Sequence, residues 1–341
     1  MQKSLYLLLL LLAAATFGCT DQVEKPNNES SGVQLIVKHE LPHADSQPYY
    51  LAKDAAGNVW FTEYQVARIG KMDTTGFVTE YDVPSYNFGV VISVGPGGSM
   101  WFTEGNDVNV IGEITPNREV RELPLPIGAC AGEGIAAGLD GNMWFTDPCQ
   151  NRIARITTEG KVSEFRVLSR DAFVKGIVAG PDDNLWFTET NTGRIGRITP
   201  RGEVREFDGP TDSALPSGIV VGPNRRLYAA ANNGVWEIDL SGHVENYGDA
   251  LSADGDVVVL GPQNNLWISH PTNGKIDIFN PRTHMFSKPV QPKISIVGGL
   301  TTGSDGRVWF AAQNDNYLGA YRWRPPVGKV AASPAPGHHR H

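Results

Sequence analysis

The chain has 341 residues, including 38 Gly and 23 Pro, and a formal net charge of −8. This acidic balance argues against nucleic acid as a partner, because proteins that bind phosphate backbones usually carry a basic patch. The many glycines and prolines are typical of a chain with frequent tight turns between short strands.

The N-terminus has the features of an export signal. Lys3 supplies positive charge, Leu5–Leu12 form an apolar run, and small residues predominate in 13–18. The run is too short to span a bilayer as a mature helix, which favours an export signal. The four residues ending at Cys19 resemble a bacterial lipobox and predict lipidation of Cys19. Ordinary signal cleavage, with Cys19 in the discarded piece, is the alternative.

Residues 20–32 are polar and rich in Asn, Ser and Glu, a composition typical of a flexible tether. Signal and tether together predict an exported protein of the bacterial cell envelope, lipid-anchored or periplasmic. We expect it to touch the membrane only through a lipid anchor.

A motif centred on Trp-Phe-Thr recurs through the rest of the chain. Well-matched copies are Gly57–Glu63, Gly98–Glu104, Gly141–Asp147 and Asp183–Glu189. With three weaker copies, the key aromatic residues are Trp60, Trp101, Trp144, Trp186, Tyr228, Trp267 and Trp309. They recur about every 42 residues, and a fixed period of this size with short strands indicates a β-propeller with one blade per repeat. Seven copies predict an all-β fold of seven blades.

Each repeat has the pattern of four strands, which we label a to d in chain order. In the fourth repeat, strand a is Gly176–Ala179 and strand b is the Trp-Phe-Thr unit. Strand c is Arg194–Ile198, and strand d is Val204–Phe207. Apolar and polar residues alternate in strands c and d, as expected of half-buried strands.

The seventh repeat lacks a strand d. Val37–Pro42 is similar to the strand d segment Val78–Pro84, so the missing strand lies at the other end of the chain. We therefore expect residues 33–41 to close the ring and to remove an open sheet edge. The predicted segments are a signal (1–19), a tether (20–32), a propeller (33–324) and a disordered tail (325–341).

Two cysteines lie in the third repeat. We call the face where strand a begins the top face, so the d–a and b–c connections also lie there. Cys130 is in a d–a connection and Cys149 is in a b–c connection, which places both at the top. With Cys19 assigned to the lipid, they form an even pair in an exported protein. This arrangement predicts a disulfide between Cys130 and Cys149.

The repeated units resemble the streptogramin lyase family, also called the virginiamycin B lyase family. They are Gly-Pro-Asp-x-x-Leu-Trp-Phe-Thr-Glu, Arg-Ile-Gly-Arg-Ile-Thr-Pro and Glu-Phe, and the resemblance covers residues 33–324. It implies a seven-bladed propeller that opens cyclic streptogramin B antibiotics by elimination at the ester bond, with a divalent metal such as Mg. It also implies catalytic histidines at the channel end of strand a in late blades, in a Pro-His-x-Ile context.

The channel ends of this chain differ from that pattern. Eleven residues before each key aromatic stand Tyr49, Val90, Glu133, Lys175, Ser217, Asp256 and Gly298, and none is His. Tyr49, Glu133, Lys175 and Asp256 are therefore our candidates for ligand binding. The alternative for the charged residues is plain solvation or mutual pairing. Glu133 and Lys175 lie in adjacent repeats, and a buried pair would lower the pKa of the Glu.

His270 and His43 are the two histidines expected on the top face. His270 replaces the carboxylate that ends strand b in four other repeats, and a neutral imidazole is a suitable general base. The repeated carboxylates, by contrast, are expected to accept backbone hydrogen bonds in the b–c turn. They are Glu63, Glu104, Asp147 and Glu189.

Three functions remain open from the sequence. A monomeric module that binds a small molecule or an envelope partner on its top face is favoured, because the channel histidines are missing. A carbon–oxygen lyase that opens a cyclic ester with a relocated base is the second. A metal-dependent lactonase is the third, and it is disfavoured because Glu133 and Asp256 stand three blades apart. No spaced ligand set identifies a metal.

Overall fold

The computed structural model describes residues 33–105, 110–211, 213–248 and 256–323. In these residues, 28 strands form seven four-stranded antiparallel sheets. The predicted seven-bladed propeller is confirmed. The signal with Cys19, the tether and the tail lie outside the described residues. Within the described ranges, no helix has the length and apolar character needed to cross a membrane.

Six blades are continuous in sequence, and their strands run a to d from the channel outward. Blade 1 contains β2 (Pro48–Lys53), β3 (Val59–Glu63), β4 (Arg68–Met72) and β5 (Val78–Asp82). Blade 2 contains β6 (Gly89–Val94), β7 (Met100–Glu104), β8 (Val110–Ile114) and β9 (Val120–Pro124). Blade 3 contains β10 (Ile135–Ala137), β11 (Met143–Asp147), β12 (Arg152–Ile156) and β13 (Val162–Arg166).

The second half of the ring repeats this order. Blade 4 contains β14 (Val174–Ala179), β15 (Leu185–Glu189), β16 (Arg194–Ile198) and β17 (Val204–Asp208). Blade 5 contains β18 (Pro216–Val221), β19 (Leu227–Ala231), β20 (Gly234–Ile238) and β21 (Val244–Tyr247). Blade 6 contains β22 (Val258–Leu260), β23 (Leu266–His270), β24 (Lys275–Asn280) and β25 (Met285–Phe286). Short 3-10 turns at Pro96–Gly98, Pro223–Arg225 and Pro262–Asn264 join strands a and b in blades 2, 5 and 6.

Blade 7 combines the two ends of the described chain. β26 (Val297–Thr302), β27 (Arg307–Ala312) and β28 (Tyr317–Trp323) are its first three strands, and β1 (Val33–Glu40) is the fourth. β1 pairs antiparallel with β28, from Val33 opposite Trp323 to Glu40 opposite Tyr317. The predicted ring closure by the N-terminal strand is confirmed, and it leaves no unpaired edge on β28.

The repeated sequence units have a packing explanation. The phenylalanine of strand b lies opposite a small residue of strand c, as Phe187 does opposite Gly196. A Cβ atom at Gly196 would lie only 2.0 Å from the Phe187 ring, so the ring fills the space above the glycine. Blade 5 reverses the pair, with Ala229 in strand b opposite Trp236 in strand c. Blade 5 therefore keeps a large residue opposite a small one with the two strands exchanged, whereas blade 6 pairs Ile268 with Asp277.

The tryptophan of strand b is held by the a–b turn and by strand d. Trp186 Nε1 donates to Asp182 Oδ1 at 2.9 Å, and the indole stacks on Phe207 at 5.6 Å. The Arg197 guanidinium lies 5.4 Å from the same indole. Asp, Arg and Phe of the repeat thus pack around one buried Trp, which explains why these residue types recur together.

Candidate functional site

Four side chains from adjacent blades meet at the top of the channel. Lys175 Nζ lies 2.7 Å from Asp256 Oδ1 and 3.2 Å from Glu133 Oε2. Ser217 Oγ donates to the same Asp256 Oδ1 at 2.9 Å. We call Glu133, Lys175, Ser217 and Asp256 the channel cluster. All four occupy the channel-end position of strand a, which the sequence singled out.

Glycines bring these blades close enough to meet. Gly134, Gly176 and Gly218 each follow a member of the channel cluster. A Cβ atom at Gly134 would lie 2.3 Å from the Lys175 carbonyl oxygen, and one at Gly218 would lie 2.4 Å from that of Asp256. Only a residue without a side chain permits this close approach of backbone. The narrow spacing allows Glu133 and Asp256, three blades apart, to reach one ammonium.

The threonine of Trp-Phe-Thr positions the cluster, a role that the sequence analysis missed. Thr188 Oγ1 accepts from the Gly176 backbone N–H at 2.9 Å and donates to the Ser217 carbonyl oxygen of the next blade at 2.7 Å. Thr146 Oγ1 likewise donates to the Lys175 carbonyl oxygen at 3.0 Å. The signal was present, because a buried threonine hydroxyl in every well-matched copy needs a partner.

A cavity of about 280 Å³ opens above the channel cluster. Besides the four cluster residues it is lined by Tyr49, Thr190, Leu215, Pro271 and Thr272. Below it, a second cavity of about 170 Å³ continues between the strands a, and Glu133 borders both. The structure therefore brings all four sequence candidates for ligand binding, Tyr49, Glu133, Lys175 and Asp256, to one pocket.

Burial and mutual charge determine protonation in this pocket. Burial raises the pKa of Glu133, and the Asp256 charge adds to this, although Lys175 acts in the opposite direction. The sequence prediction of a lowered Glu133 pKa is wrong, because the Lys175 contact does not outweigh burial and the second carboxylate.

The two donors of the pocket keep their protons. Burial alone would lower the pKa of Lys175, but Asp256 and Glu133 raise it above its ordinary value. Burial, Asp256 and Glu133 also raise the pKa of the Tyr49 phenol. The pocket thus offers a charged ammonium and a neutral phenol as donors, and two carboxyl groups as acceptors.

An aromatic row leads away from the pocket across blades 1 and 2. The Tyr49 ring lies 5.5 Å from Tyr50 and 5.7 Å from Tyr64, and Tyr64 lies 4.0 Å from Phe88. These rings are half-buried. One side of the channel mouth is therefore aromatic, and the other, in blades 3 to 6, is ionic.

Neither predicted general base lines the pocket. His270 is fully buried at the end of β23, with Nε2 2.9 Å from Asp277 Oδ2. His43 lies on the connection between β1 and β2, with Nδ1 2.9 Å from the Ala44 carbonyl oxygen. The neighbours of His270, Pro271 and Thr272, do border the pocket. A catalytic role for either histidine stays a prediction.

The carboxylates that end strand b fall into two groups. Asp147 Oδ1 accepts from the Gln150 backbone N–H in the b–c turn, as predicted, and also from the Cys130 backbone N–H in the d–a connection. The described contacts of Glu104 and Glu189 include the hydroxyls of Ser85 and Thr192. In blades 1, 2 and 4 the residue that ends strand b is a glutamate whose pKa is raised to about 7. Burial is the main cause, and the negative charge of a second glutamate on strand d adds to it. The three strand b glutamates are Glu63, Glu104 and Glu189.

The predicted disulfide is confirmed, since Cys130 and Cys149 are bonded with Cα atoms 5.8 Å apart. In the described ranges, the one group of three potential metal ligands consists of these cysteines and Asp147. Both sulfurs are bonded to each other and offer no thiolate, so this group does not fit a metal.

The channel cluster does not fit a divalent metal either. Mg²⁺ requires near-octahedral oxygen ligands. Here the Lys175 ammonium stands between the two carboxylates, at hydrogen-bond distance from each. Although Glu133 and Asp256 stand three blades apart, the narrow channel lets both carboxylates contact the Lys175 ammonium. A metal ion shared by these two residues stays disfavoured.

Fold and site define a seven-bladed β-propeller with an ionic, aromatic-rimmed pocket at the top of its channel. The sequence model that describes the virginiamycin B lyase family matches residues 30–238, and the chain belongs to this family. Virginiamycin B lyase from Nocardia farcinica is 30% identical over 125 residues, which cover 37% of this chain and 43% of that relative. The chain thus aligns with less than half the length of this curated relative.

Solved structures match over a longer range. A streptogramin B lyase structure superposes with a TM-score of 0.79 at 29% identity, covering 86% of this chain and 99% of that one. A catalytically inactive histidine-to-alanine variant of virginiamycin B lyase from Staphylococcus aureus, with quinupristin, superposes at 0.78 and 29% identity. That match covers 85% of this chain and 99% of the Staphylococcus chain. The WD40 propeller of Doa1, at 12% identity and a TM-score of 0.69, shares the fold alone.

Proposed function

We propose that this chain is an exported, virginiamycin B lyase-like propeller that binds a polar small molecule in the pocket at the top of its channel, without opening streptogramin B. One observation carries the proposal. The channel-end positions that the family resemblance assigns to histidine hold no histidine here, and they hold the mutually paired channel cluster instead.

The chemistry of the pocket supports binding rather than proton abstraction. Lys175 is protonated and engaged with two carboxylates, so it is a poor base. Tyr49 is a neutral donor. A ligand rich in hydroxyl or amine groups can donate to Glu133 and Asp256 and accept from Lys175 and Tyr49. Its apolar part can contact Leu215, Pro271 and the aromatic row, because such pockets combine apolar walls with few polar groups.

A carbon–oxygen lyase that opens a cyclic ester is the second candidate. It is favoured by family membership and by the names of the similar structures. In that case His270 or His43 must move toward the pocket, or Glu133, whose pKa is raised, must act as the base. Mg is expected only from the resemblance, and the contacts of the channel cluster do not favour it.

The remaining proposals concern location and assembly. Export to the bacterial cell envelope agrees with the Cys130–Cys149 disulfide, because such bonds persist in oxidising compartments. Attachment to the membrane would occur only through a lipid on Cys19. We propose a monomer whose ligand is a small molecule, or otherwise an envelope partner on the top face, and no nucleic acid.

Two assays on the purified mature protein test the function. In the first, quinupristin is incubated with and without Mg²⁺, and ring opening is followed by chromatography and fragmentation, since elimination leaves the mass unchanged. We expect no opening. Efficient opening that is lost in His270→Ala would overturn the proposal and restore the lyase with a relocated base.

In the second assay, thermal unfolding is measured with a panel of sugars, amines and cyclic esters. We expect at least one compound to raise the Tm of the wild type with saturation. The shift should disappear in Asp256→Asn, and it should persist in Asp305→Asn, which removes a carboxylate of a bottom turn outside the pocket. A panel without any Asp256-dependent shift would contradict small-molecule binding in this pocket.

A further inference from the structure

Two carboxylates that face each other in a half-buried channel need a positive charge. Glu133 and Asp256 come from blades 3 and 6, and their side chains are only 36% and 10% exposed. Like charges in a shared site repel, and one of the two would otherwise take up a proton. In many proteins a bound divalent cation balances such a pair.

In this chain the positive charge belongs to a side chain. Lys175 Nζ contacts both carboxylates, and its own side chain is 21% exposed. Ser217 Oγ donates to the Asp256 oxygen that also accepts from Lys175, so two donors fix this carboxylate. The Lys175 backbone is held in turn by Thr146 of blade 3. The ammonium is therefore positioned, and it is not a mobile surface charge.

We infer that Lys175 is the resident counter-cation of the channel and occupies the place that a divalent cation would otherwise take between Glu133 and Asp256. The inference does not depend on which ligand binds above the cluster. It requires that the wild type has no divalent-cation site at Asp256. It also requires that removal of the ammonium alone creates one, because the two carboxylates remain in place.

Terbium luminescence tests this, because Tb³⁺ binds oxygen ligands and nearby Tyr49 and Tyr50 can sensitise its emission. Lys175→Met keeps the length of the side chain and removes its charge. We expect a saturable Tb³⁺ site in this variant, and no Asp256-dependent emission from the wild type even at Tb³⁺ concentrations about tenfold above the Kd of the variant. Mg²⁺ should compete for it, and Lys175→Met/Asp256→Asn should abolish it.

Arg226→Met is the matched control. It also removes one positive charge from a buried carboxylate, because Arg226 Nε lies 3.0 Å from Glu237 Oε1, but this ion pair lies outside the channel. It should gain no Asp256-dependent emission, which separates the local site from the effect of a more negative chain. Lys175→Arg keeps the charge and should likewise gain none.

Two outcomes would overturn the inference. One is a wild type whose Tb³⁺ emission falls in Asp256→Asn, since a metal would then bind beside Lys175. The other is a folded Lys175→Met, judged by circular dichroism, that gains no site. If Lys175→Met does not fold, Lys175→Gln replaces it. The comparison of the wild type with Asp256→Asn still tests the inference without either lysine variant.

Discussion

Blades 3 and 4 are nearly alike in their outer strands and opposite at the channel. Phe145 packs on Ala154 in one and Phe187 packs on Gly196 in the other, and each tryptophan stacks on a strand d phenylalanine. At the channel end, however, blade 3 presents the acidic residue Glu133, and blade 4 presents the positively charged Lys175. Packing restricts the outer positions of these two blades in the same way, whereas their channel ends differ in charge and contact each other.

The difference separates the part of the chain that repeats from the part that varies between blades. Repetition identifies the fold, and departures from repetition mark the candidate site. Family membership follows from the repeated part of the chain, since the packing units match. The non-repeating channel cluster is the reason to propose a different chemistry. Substitutions in the two regions should therefore affect different properties, and the effects below are ordered from largest to smallest.

The Phe–Gly pair of blade 4 should have the largest effect on stability. Phe187→Ala leaves a cavity above Gly196 and should cost about 3–5 kcal/mol, measured by chemical denaturation. Blade 5 provides a natural rescue, because it places the large residue in strand c. Phe187→Ala combined with Gly196→Trp should recover part of the loss. A double variant that is less stable than Phe187→Ala would show that the pair is not exchangeable between strands.

The disulfide should have the next largest effect. Replacing Cys130 and Cys149 by Ala opens a loop whose ends are 19 residues apart and should lower stability by about 3 kcal/mol. The measurement is the denaturant midpoint of the variant under non-reducing conditions. Reduction of the wild type should give the same midpoint, and no change on reduction would contradict a stabilising bond.

A threonine connects the two regions, so its loss should affect both. Thr188→Val leaves the Ser217 carbonyl oxygen and the Gly176 N–H without their side-chain partner and should cost about 1–2 kcal/mol. Thr188→Ser keeps the hydroxyl and is the control. Any ligand that raises the Tm through Asp256 should bind Thr188→Val more weakly than Thr188→Ser. Equal binding by both would mean that Thr188 serves the fold alone.

The sequence predicted the blades well because their signals are local and repeated. Trp-Phe-Thr, the following turn and strand c recur in order, and the missing last strand was found at Val37–Pro42 by the same pattern. The channel candidates were also found, as exceptions at one repeat position. The strands and the channel candidates were both predicted by comparing a residue with those at the same position in the other repeats. Such a comparison needs no distance between residues in the folded protein.

What the sequence could not predict depends on distances across the ring. Glu133 and Asp256 both contact the Lys175 ammonium. They can do so because the backbones of neighbouring blades approach closely at Gly134, Gly176 and Gly218. The direction of the Glu133 pKa depended on the balance between burial and one ion pair, which residue types alone do not give. The full burial of His270 against Asp277 likewise required the packing of blade 6.

The smallest effects per residue should come from the buried glutamates of strand b, and they depend on pH. In blades 1, 2 and 4 burial raises the pKa of Glu63, Glu104 and Glu189 from 4.5 to about 7. Between these values the folded state binds more protons than the unfolded state, so stability falls as pH rises through this window. The loss is absent below the unfolded pKa and complete above the folded one.

Glu63→Gln, Glu104→Gln and Glu189→Gln should therefore each stabilise the protein at pH 8 and reduce the decline between pH 5 and pH 8, by on the order of 1 kcal/mol. Denaturant midpoints at the two pH values give the measurement. Blade 3 is the contrast, because Asp147 pairs with Arg152 at 2.9 Å. Asp147→Asn should destabilise at both pH values, since it removes the fully buried one of the two carboxylates that pair with Arg152, the other being Glu164. If the glutamine variants also destabilised at pH 8, the buried glutamates would be charged and paired, and the two groups of blades would not differ.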